Sequence, residues 1–294
     1  MTPKEKPFVS IITPALNAER FIESCMKAVI EQDCPAAEHV IVDGGSSDTT
    51  VDIVKEYASR YPHISWISEK DRGQSDAMNK GIAMAKSPII GFLNVDDFYE
   101  PGVLNRVLPL LDDLPEPGLI VGNCNIWRDD GEIWLVNKPA RLGIVDLVLG
   151  PHVNPYPVNP SQYFYHASLH KNIGPYNVDE HYALDLDFIL KAVRVAHLKY
   201  VDEVWGNYRF SEGTKTYEDW KQGTNVTRRQ SYIAASRASL STLEKCEFLY
   251  SHLKYPFFRF MAAKMLQVLG LYTPLHRALG KLSRKKAGGR DLHS

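Results

Sequence analysis

The apolar residues in the first third of the chain form short, nearly continuous runs. Phe8–Thr13, His39–Val42, Ile64–Ser68 and Ile89–Leu93 each have the length and composition of a strand that is buried on both faces. Between these runs, apolar residues recur at the spacing of one face of a helix. This alternation predicts an α/β fold with a mostly parallel central sheet flanked by helices.

Polar residues and prolines predict where the helices between these strands begin and end. Asn17 is a predicted N-cap for a helix that ends near Ile30, and it follows a predicted turn at Pro14–Leu16. Ser75 is a predicted cap for a later helix that stops at Ser87, before a proline. The predicted apolar stripes of the second, third and fourth helices are Val51, Val54 and Ala58, then Met78, Ile82 and Ala85, then Val103, Val107 and Leu111.

The second half of the chain is less regular. Leu119–Val121 and Ile133–Val136 are predicted strands, joined by a hairpin turn at Asp129–Gly131. Tyr163–His166 is a further strand-like segment, and Trp205–Glu212 follows another predicted strand.

One strand end carries the candidate chemistry. Asn94, Asp96 and Asp97 follow directly after the apolar run at Ile89–Leu93. Ligands of open α/β sheets bind at the carboxyl ends of the strands, and adjacent carboxylates there suit a hard divalent cation that holds a diphosphate. A solvated surface turn is the alternative. These residues alone leave both interpretations open.

Composition excludes some classes of protein. The net charge of −1 and the isoelectric point of about 6.8 argue against a dedicated nucleic-acid-binding protein. The four cysteines lack the spacing of a zinc site or a redox pair, so we expect a reduced, cytoplasmic protein. The polar N-terminus predicts no signal peptide. We expect no membrane-spanning segment, because the longest uncharged stretch, Leu147–His170, contains four prolines.

The C-terminal region has a different charge pattern. Residues 254–290 contain nine Lys and Arg residues and no acidic residue. Thr273 and Pro274 are predicted to start an amphipathic helix whose basic face is formed by Arg277, Lys281, Arg284 and Lys285. Residues 255–286 are therefore candidates for contact with an anionic membrane surface, or alternatively for packing on the rest of the protein or on a partner subunit. We expect the basic tail, residues 281–294, to be disordered.

Several segments together resemble family-2 glycosyltransferases of the GT-A fold, a Rossmann-like α/β architecture. The resemblance covers roughly residues 8–210 and is based on five motifs in the expected order and spacing. They are Val9–Asn17, Val42–Thr50, Glu69–Gly81, Asn94–Asp97 and Ile173–Asp187. Each motif is weak alone, but the combination is specific. It favours a metal-binding role for Asp96 and Asp97 over a solvated turn.

The resemblance implies a nucleotide-sugar donor site at the strand ends. Pro14, Ala15, Asn17 and Asp43 would hold the base and the ribose. Arg72 would lie near the diphosphate, where a guanidinium group neutralises charge and bonds two oxygens, although a solvated loop arginine is the alternative.

The acidic pair and a later arginine would complete this implied donor site. Asp96 would reach the ribose or the water shell of the metal, and Asp97 would ligate Mg²⁺ or Mn²⁺. Gly44 stands where many members of the family carry a second acidic residue, so the identity of the base stays open. Arg209 would move onto the diphosphate when a lid closes.

The resemblance also implies a catalytic base that removes the proton of the acceptor hydroxyl. The family motif places this base at Asp185. On a predicted helix Asp185 and Asp187 point about 200° apart, so at most one can face the substrate. Asp187 is the alternative base, and a carboxylate favoured by the helix dipole is the alternative role for either residue. Asn159 and Gln162, in a proline-rich loop, are predicted to bind the acceptor, although many such loops are plain connectors.

Together these observations predict an inverting, metal-dependent glycosyltransferase. It would move a sugar from a nucleoside-diphosphate sugar, with a UDP-sugar preferred, to a hydroxyl of a glycan or lipid-linked acceptor. The resemblance places such an enzyme in polysaccharide or lipid-linked glycan assembly. Contact of residues 255–286 with a membrane would place it at the inner face of the plasma membrane. A non-catalytic sugar-nucleotide or glycan-binding scaffold is the main alternative. A sugar nucleotidyltransferase is a weaker one, because Thr13–Asn17 lacks the glycine-rich basic loop that it needs after its first strand.

The predicted domains follow from the extent of the resemblance. The catalytic domain would span residues 1–215, with a donor half at 1–100 and an acceptor half at 101–215. An amphipathic helical extension at 216–280 and the basic tail at 281–294 would follow it.

Overall fold

The computed structural model describes residues 9–151 and 153–254. The strands are β1 (Val9–Ala15), β2 (Ala37–Asp43), β3 (Ile64–Ser68), β4 (Ile89–Phe92), β5 (Phe98–Tyr99), β6 (Gly118–Trp127), β7 (Ile133–Asn137), β8 (Tyr163–His166) and β9 (His197–Arg209). The helices are α1 (Ile22–Ile30), α2 (Thr50–Arg60), α3 (Gln74–Met84), α4 (Val103–Asp112), α5 (Ile144–Val148), α6 (Leu169–Ile173), α7 (Leu184–Ala192), α8 (Lys215–Gln222), α9 (Thr224–Ala238) and α10 (Thr242–Lys254). A short 3-10 helix, Pro160–Gln162, precedes β8.

The strands of the described residues form one sheet in the order β3-β2-β1-β4-β8-β6-β9-β5, and β7 pairs with β6. The first four strands in this order run parallel, as predicted from the alternation of strands and helices. The strand β8 then enters between β4 and β6 and is antiparallel to both. The α/β class is confirmed. One half of the sheet is parallel, so its strands have their carboxyl ends at the same edge, and the other half is mixed.

The central strands are apolar because helices cover both faces of the sheet. Ile11 and Ile12 are both 0% exposed although adjacent side chains of a strand point to opposite faces. Ile11 belongs to a core cluster with residues of α1 and α4. Ile12 lies under α3, where a Cβ atom at Gly81 would overlap its side chain. The close approach at Gly81 lets α3 lie directly on the sheet beside the cleft.

The predictions of β3 and β8 were correct to the residue, but the region after β1 differs from its prediction. Pro14 and Ala15 were predicted in a turn, and they instead extend β1 and pair with Val42 and Asp43. A proline is tolerated there because the other neighbour of β1, strand β4, pairs only with Val9–Ile12.

The start of α1 also differs from its prediction. Asn17 was predicted as the N-cap, but its φ of 48° lies in the left-handed region and α1 begins only at Ile22. Its end at Ile30 is as predicted.

The C-terminal part continues in helices. The chain divides into two compact units between Ser239 and Leu240, so α8 and α9 belong to the first unit and α10 to the second. The predicted domain boundary at residue 215 stays a prediction. The basic amphipathic helix from Thr273 and the tail at 281–294 lie outside the described residues. In the part of the chain that is described, no helix is long and apolar enough to cross a membrane.

Candidate active site

A cleft of about 560 Å³ opens at the carboxyl ends of β1 and β4. Pro14 and Ala15 line it at the end of β1, Asn94–Asp96 after β4, and Gly73 and Gln74 at the start of α3. These segments meet because β1 and β4 run parallel and end at the same edge of the sheet. The cleft therefore lies at the edge where the strand pattern predicts ligand binding.

Asn17 holds the loop after β1 on the cleft wall. Its side-chain oxygen accepts a hydrogen bond from the Ser47 N–H at 3.0 Å, and its own N–H donates to Ser46 Oγ at 2.7 Å. The loops after β1 and β2 are thereby tied together. Pro14, Ala15 and Asn17 all line the cleft, which is the location that a donor site requires. Their contact with a nucleotide is still a prediction.

Asp43 is buried at the end of β2, where it is 1% exposed. Its carboxylate accepts hydrogen bonds from the N–H groups of Gly45 and Ser46, both at 3.0 Å, and from Ser68 Oγ at 2.7 Å. The Ser46 hydroxyl also donates to it. Asp43 thus shapes the loop beside the cleft, and it is not among the described residues that line the cleft. No observation tests its predicted contact with the base or ribose.

Asp71 is a cleft residue whose position the motifs did not predict. A Cβ atom at Gly44 would lie 2.5 Å from Asp71 Oδ2, so the Asp71 carboxyl group fills the space beside Gly44. Asp71 Oδ1 accepts a hydrogen bond from the Gly73 N–H at 2.8 Å. The loop after β3 therefore places a carboxylate next to the position where many family members carry their second acid. Only the three-dimensional packing reveals this, because the two positions belong to different strand ends.

Arg72 is exposed beside the cleft. Its backbone N–H donates to Asp76 Oδ2 at 3.1 Å, which fixes the peptide at the start of α3. The next residue, Gly73, lines the cleft with a φ of 118°, a conformation that favours glycine. The role of the Arg72 guanidinium at a diphosphate stays a prediction, and the solvated alternative stays open.

Asp96 and Asp97 take different positions after β4. Asp96 lines the cleft, whereas Asp97 is 3% exposed and is not on the cleft wall. Asp97 accepts hydrogen bonds from Asn159 Nδ2 at 2.7 Å, Asn94 Nδ2 at 3.0 Å and the Arg209 N–H at 3.1 Å. Burial raises the pKa of Asp97 well above its usual range, and the nearby charge of Asp96 raises it further.

Asp96, the member of this pair that lines the cleft, is suited to bind a divalent cation. Burial raises the pKa of Asp96, so a cation beside it would stabilise the ionised carboxylate that burial disfavours. The described residues contain no group of three or more acidic, His or Cys side chains that could enclose a metal ion. Mg²⁺ needs only one or two carboxylates when substrate phosphates complete its shell. The geometry favours Asp96 over Asp97 as the ligand, and neither assignment is tested by an observation.

Arg209 ends β9 close to the acidic pair. Its guanidinium carbon lies 5.3 Å from the centroid of the Phe98 ring. Its positive charge lowers the pKa of Asp96, against the larger effect of burial. Arg209 is thus within electrostatic reach of the cleft without lining it. Its predicted movement onto a diphosphate is untested.

Asp185 lines a small cavity of about 50 Å³ that shares several residues with the cleft, including Asn94. The Tyr163 hydroxyl donates a hydrogen bond to Asp185 Oδ1 at 3.0 Å. Burial raises the pKa of Asp185 to about 6, while the Tyr163 hydrogen bond and the charges of Arg229 and Lys215 lower it. A carboxylate with this pKa is largely ionised at neutral pH and still accepts a proton readily, which suits a general base.

Asp187 has different surroundings on the same helix. Its carboxylate forms an ion pair with Lys191 Nζ at 2.6 Å, one turn further along α7. It lines neither the cleft nor the small cavity of the described chain. Of the two carboxylates, Asp185 is the one that faces the cavity. Its role as the base stays a prediction.

Asn159 and Gln162 are 2% and 0% exposed in the loop before β8. Asn159 Oδ1 accepts a hydrogen bond from the Ser161 N–H at 2.9 Å while its Nδ2 donates to Asp97. Gln162 Nε2 donates to Asn137 Oδ1 at 3.0 Å. Both amides therefore hold the framework together. Asn159 lines the small cavity and Gln162 lines neither cavity nor cleft, so the predicted acceptor contact is geometrically open to Asn159 alone.

Lys215 and Arg229 line the cavity of Asp185 and were not predicted as site residues. Lys215 Nζ donates to the His181 carbonyl at 2.7 Å, which holds the start of α8 beside the cavity. On α9, Arg228 Nε pairs with the buried carboxylate of Glu180 at 2.7 Å. Lys215 and Arg229 come from helices beyond the region that the resemblance covers, so no motif marks them.

The chain matches the family model described as "Glycosyl transferase family 2" over residues 10–163. It is 32% identical over 146 residues to the uncharacterized glycosyltransferase YibD of Escherichia coli K12, an alignment that covers 49% of this chain and 42% of that protein. It is 30% identical over 187 residues to the PGL/p-HBAD biosynthesis glycosyltransferase of Mycobacterium tuberculosis, covering 63% of this chain and 69% of that protein. The chain therefore spans less than half the length of the first of these relatives.

Solved structures show the same fold at low sequence identity. Staphylococcus aureus TarS (residues 1–349) in complex with UDP-GlcNAc has a TM-score of 0.62 and 17% identity, covering 84% of this chain and 73% of that one. The mannosyltransferase PcManGT of Pyrobaculum calidifontis, in complex with GDP-Man and Mn²⁺, has a TM-score of 0.60 and 19% identity, covering 96% and 81%. At this identity the likeness concerns the fold, and the predicted GT-A fold is confirmed. Because the family model matches more than half of the chain, the chain belongs to glycosyl transferase family 2.

Proposed function

We propose that this glycosyltransferase moves a sugar from a nucleoside-diphosphate sugar to an acceptor hydroxyl, with inversion of the anomeric centre. The observation that carries the proposal is the position of two carboxylates. Asp96 lines the cleft at the strand ends, and Asp185 lines a cavity that shares part of its wall. One carboxylate would serve the departing diphosphate and the other the attacking hydroxyl.

The donor would occupy the cleft beside the loops after β1 and β3. TarS binds UDP-GlcNAc and PcManGT binds GDP-Man, which supports a nucleotide sugar as the donor. We expect UDP to be the preferred nucleotide. Asp71 Oδ2, beside Gly44, is a hydrogen-bond acceptor that suits the N3–H of uracil. The same carboxylate disfavours cytosine, whose N3 is itself an acceptor, because two facing acceptors stay unpaired.

The residues fit Mg²⁺ or Mn²⁺ held by Asp96 together with the phosphates of the donor. When bound, such an ion supplies Lewis-acid stabilisation of the departing diphosphate. Arg209 already acts electrostatically on Asp96, and Arg72 lies at the same end of the sheet, so both would add positive charge there. Asn94 links Asp97 to Gln74 at the start of α3, which holds the acidic loop in place.

Asp185 would accept the proton of the acceptor hydroxyl as the new glycosidic bond forms. Tyr163 donates to Oδ1, which leaves Oδ2 for the hydroxyl. Attack opposite the departing phosphate inverts the anomeric carbon without a sugar-enzyme intermediate. A positioned base of this kind contributes about 10²- to 10⁴-fold to the rate.

The acceptor would be a glycan or a lipid-linked saccharide. The chain is 31% identical over 147 residues to a protein named chondroitin synthase from Escherichia coli, covering 48% of this chain and 21% of that protein, which supports a role in polysaccharide assembly. We also propose that residues 255–286 contact the membrane surface. This contact would locate the enzyme at the inner face of the plasma membrane.

Two measurements test this function. Thermal-shift titration with UDP, GDP and CDP, with and without Mn²⁺, is expected to show a metal-dependent shift that is largest for UDP, since a ligand at 100 times its dissociation constant adds about 2.7 kcal/mol. In a transfer or donor-hydrolysis assay, Asp185→Asn is expected to lose activity, whereas Asp187→Asn is expected to keep its activity. The affinity of Asp185→Asn for UDP should be unchanged. Binding of UDP by the parent protein without any turnover would instead support a binding scaffold.

A further inference from the structure

Four aromatic residues, two exposed and two half-buried, form a surface, here called the aromatic ledge, that the donor site does not use. Its members are Trp134 on β7, Phe210 after β9, and Tyr217 and Trp220 on α8. The ring centroids of Trp134 and Phe210 are 6.0 Å apart, and those of Phe210 and Trp220 are 5.6 Å apart. Trp134 is 53% exposed and Trp220 is 52% exposed. Contiguous exposed apolar surface of this kind marks interaction sites.

The ledge is continuous with the wall of the cleft. Asp219 on α8 lines the cleft, and Trp220 is the next residue, about 100° further around the helix. At the end of β9, Tyr208 lines the cleft and its ring centroid is 6.2 Å from that of Phe210. A molecule whose reacting end lies in the cleft could therefore extend directly onto the ledge.

The border of the ledge is mainly acidic. The exposed acidic residues in the two adjoining loops are Asp129, Asp130, Glu132 and Glu212. Asp129 accepts a hydrogen bond from the Glu212 N–H at 3.2 Å, which joins these loops. Two exposed cations lie among these acids: the Arg128 guanidinium is 5.0 Å from the centroid of Trp134, and Lys221 follows Trp220 on α8. An acidic border repels anionic lipid head groups, while carboxylates accept hydrogen bonds from hydroxyls.

We propose that the aromatic ledge binds a neutral glycan chain, the part of the acceptor that does not react. This inference depends on the transferase function proposed above. The C–H face of a sugar ring is apolar and weakly positive, so it is attracted to the negative face of an aromatic ring. The hydroxyls at the edge of the same sugar would reach the carboxylates of the border. Successive aromatic rings along the ledge favour an acceptor longer than a single sugar.

The test compares substitutions in the ledge with one on the opposite face of β7, all in the 294-residue chain. Binding is screened on an array of neutral and anionic oligosaccharides of graded length, and the affinity for the neutral oligosaccharide that binds best is measured by calorimetry. Trp134→Ala and Trp220→Ala are each expected to weaken this affinity about tenfold, whereas Trp134→Phe keeps a flat ring and retains most of it. Leu135→Ala is the matched control, because Leu135 is also 53% exposed but lies on the opposite face of the strand.

The outcomes separate this inference from the proposed function. Equal affinity in the parent protein and both Trp→Ala variants, an equal loss in Leu135→Ala, or no binding of any neutral oligosaccharide by the parent protein would overturn it. Trp134-dependent flotation with phosphatidylglycerol vesicles, or Trp134-dependent dimerisation in size-exclusion chromatography, would also overturn it and would identify a membrane or a second copy as the occupant. Absence of binding of UDP, GDP and CDP by the parent protein would refute the transferase proposal itself.

Discussion

The pKa of Asp185 is the result of opposing effects on one carboxyl group. Burial raises it to about 6, and the Tyr163 hydroxyl and the charges of Arg229 and Lys215 limit that rise. A general base works in its ionised form, so the activity of the proposed transferase should fall as the pH drops through this pKa. The motif predicts the carboxylate, whereas the residues that tune it are separated from it in sequence and come together only in the fold.

Removing one of these charges should move the pH dependence. Arg229→Gln takes away a positive charge that stabilises the ionised form, so the pKa of Asp185 should rise. The acidic limb of kcat/KM, which we expect near the Asp185 pKa of about 6 in the parent protein, should move upward by about one pH unit, the lower end of the effect of a neighbouring opposite charge. Lys221→Gln, an exposed substitution on α8, is the control and should leave the limb in place. An unchanged or lowered limb in Arg229→Gln would contradict this account.

Asn159 should matter for stability as well as for the site. Its amide donates to the buried Asp97 at 2.7 Å, and Asn159→Ala leaves that oxygen without this donor. Loss of a partner to a buried polar group costs about 1–3 kcal/mol, so the free energy of unfolding should fall by about 2 kcal/mol. Chemical denaturation measures the change. A loss of acceptor affinity without any loss of stability would favour the direct acceptor contact predicted from the loop sequence.

At the scale of elements, local sequence predicted those parts of the fold that local physics determines. The apolar runs of β3 and β8 gave correct bounds because their burial and their flanking polar residues agree. The predicted end of β1 was wrong because proline is a typical turn residue. Pro14 fits in the strand because β4 does not pair with β1 at that position. The start of α1 was wrong because Asn17 is used to bond Ser46 and Ser47 of the neighbouring loop. Tertiary contacts override the local cap signal in this case.

The packing of the loops after β2 and β3 leads to a test by exchange. The Asp71 carboxyl fills the space beside Gly44, so Gly44→Asp should displace it and weaken UDP binding about tenfold or more. Gly44 has no positive φ, so its backbone tolerates a side chain. Combining Gly44→Asp with Asp71→Gly restores a single carboxylate in that space and should recover much of the affinity. Isothermal titration calorimetry measures the UDP affinity of the parent protein and of the three variants. Additive losses in the double variant would show that the two positions do not share one role.

At the scale of the whole molecule, the sequence located the parallel half of the sheet and the edge at which the cleft opens, but not the wall formed by α8 and α9. The last of the five motifs ends at Asp187 and the resemblance ends near residue 210, while Lys215, Arg229 and Trp220 come from helices with polar sequences and no recognisable pattern. The position of the cleft at the strand ends could therefore be predicted from the sequence, whereas the wall contributed by α8 and α9 needed the structure.

The charge distribution over the chain yields the last prediction. The net charge is −1, yet residues 254–290 carry nine basic residues and no acid, so the remainder of the chain is acidic. Attraction to an anionic bilayer would then depend on this region alone, at about 1 kcal/mol for each basic residue near the surface. Changing Arg277, Lys281, Arg284 and Lys285 together to Glu should abolish flotation with phosphatidylglycerol vesicles and leave UDP affinity unchanged. The matched control changes four exposed basic residues of the first unit, Arg20, Lys55, Lys86 and Lys171, to Glu and should not affect flotation. If the quadruple C-terminal variant still floats, or if the parent protein never does, these residues pack on protein instead of lipid.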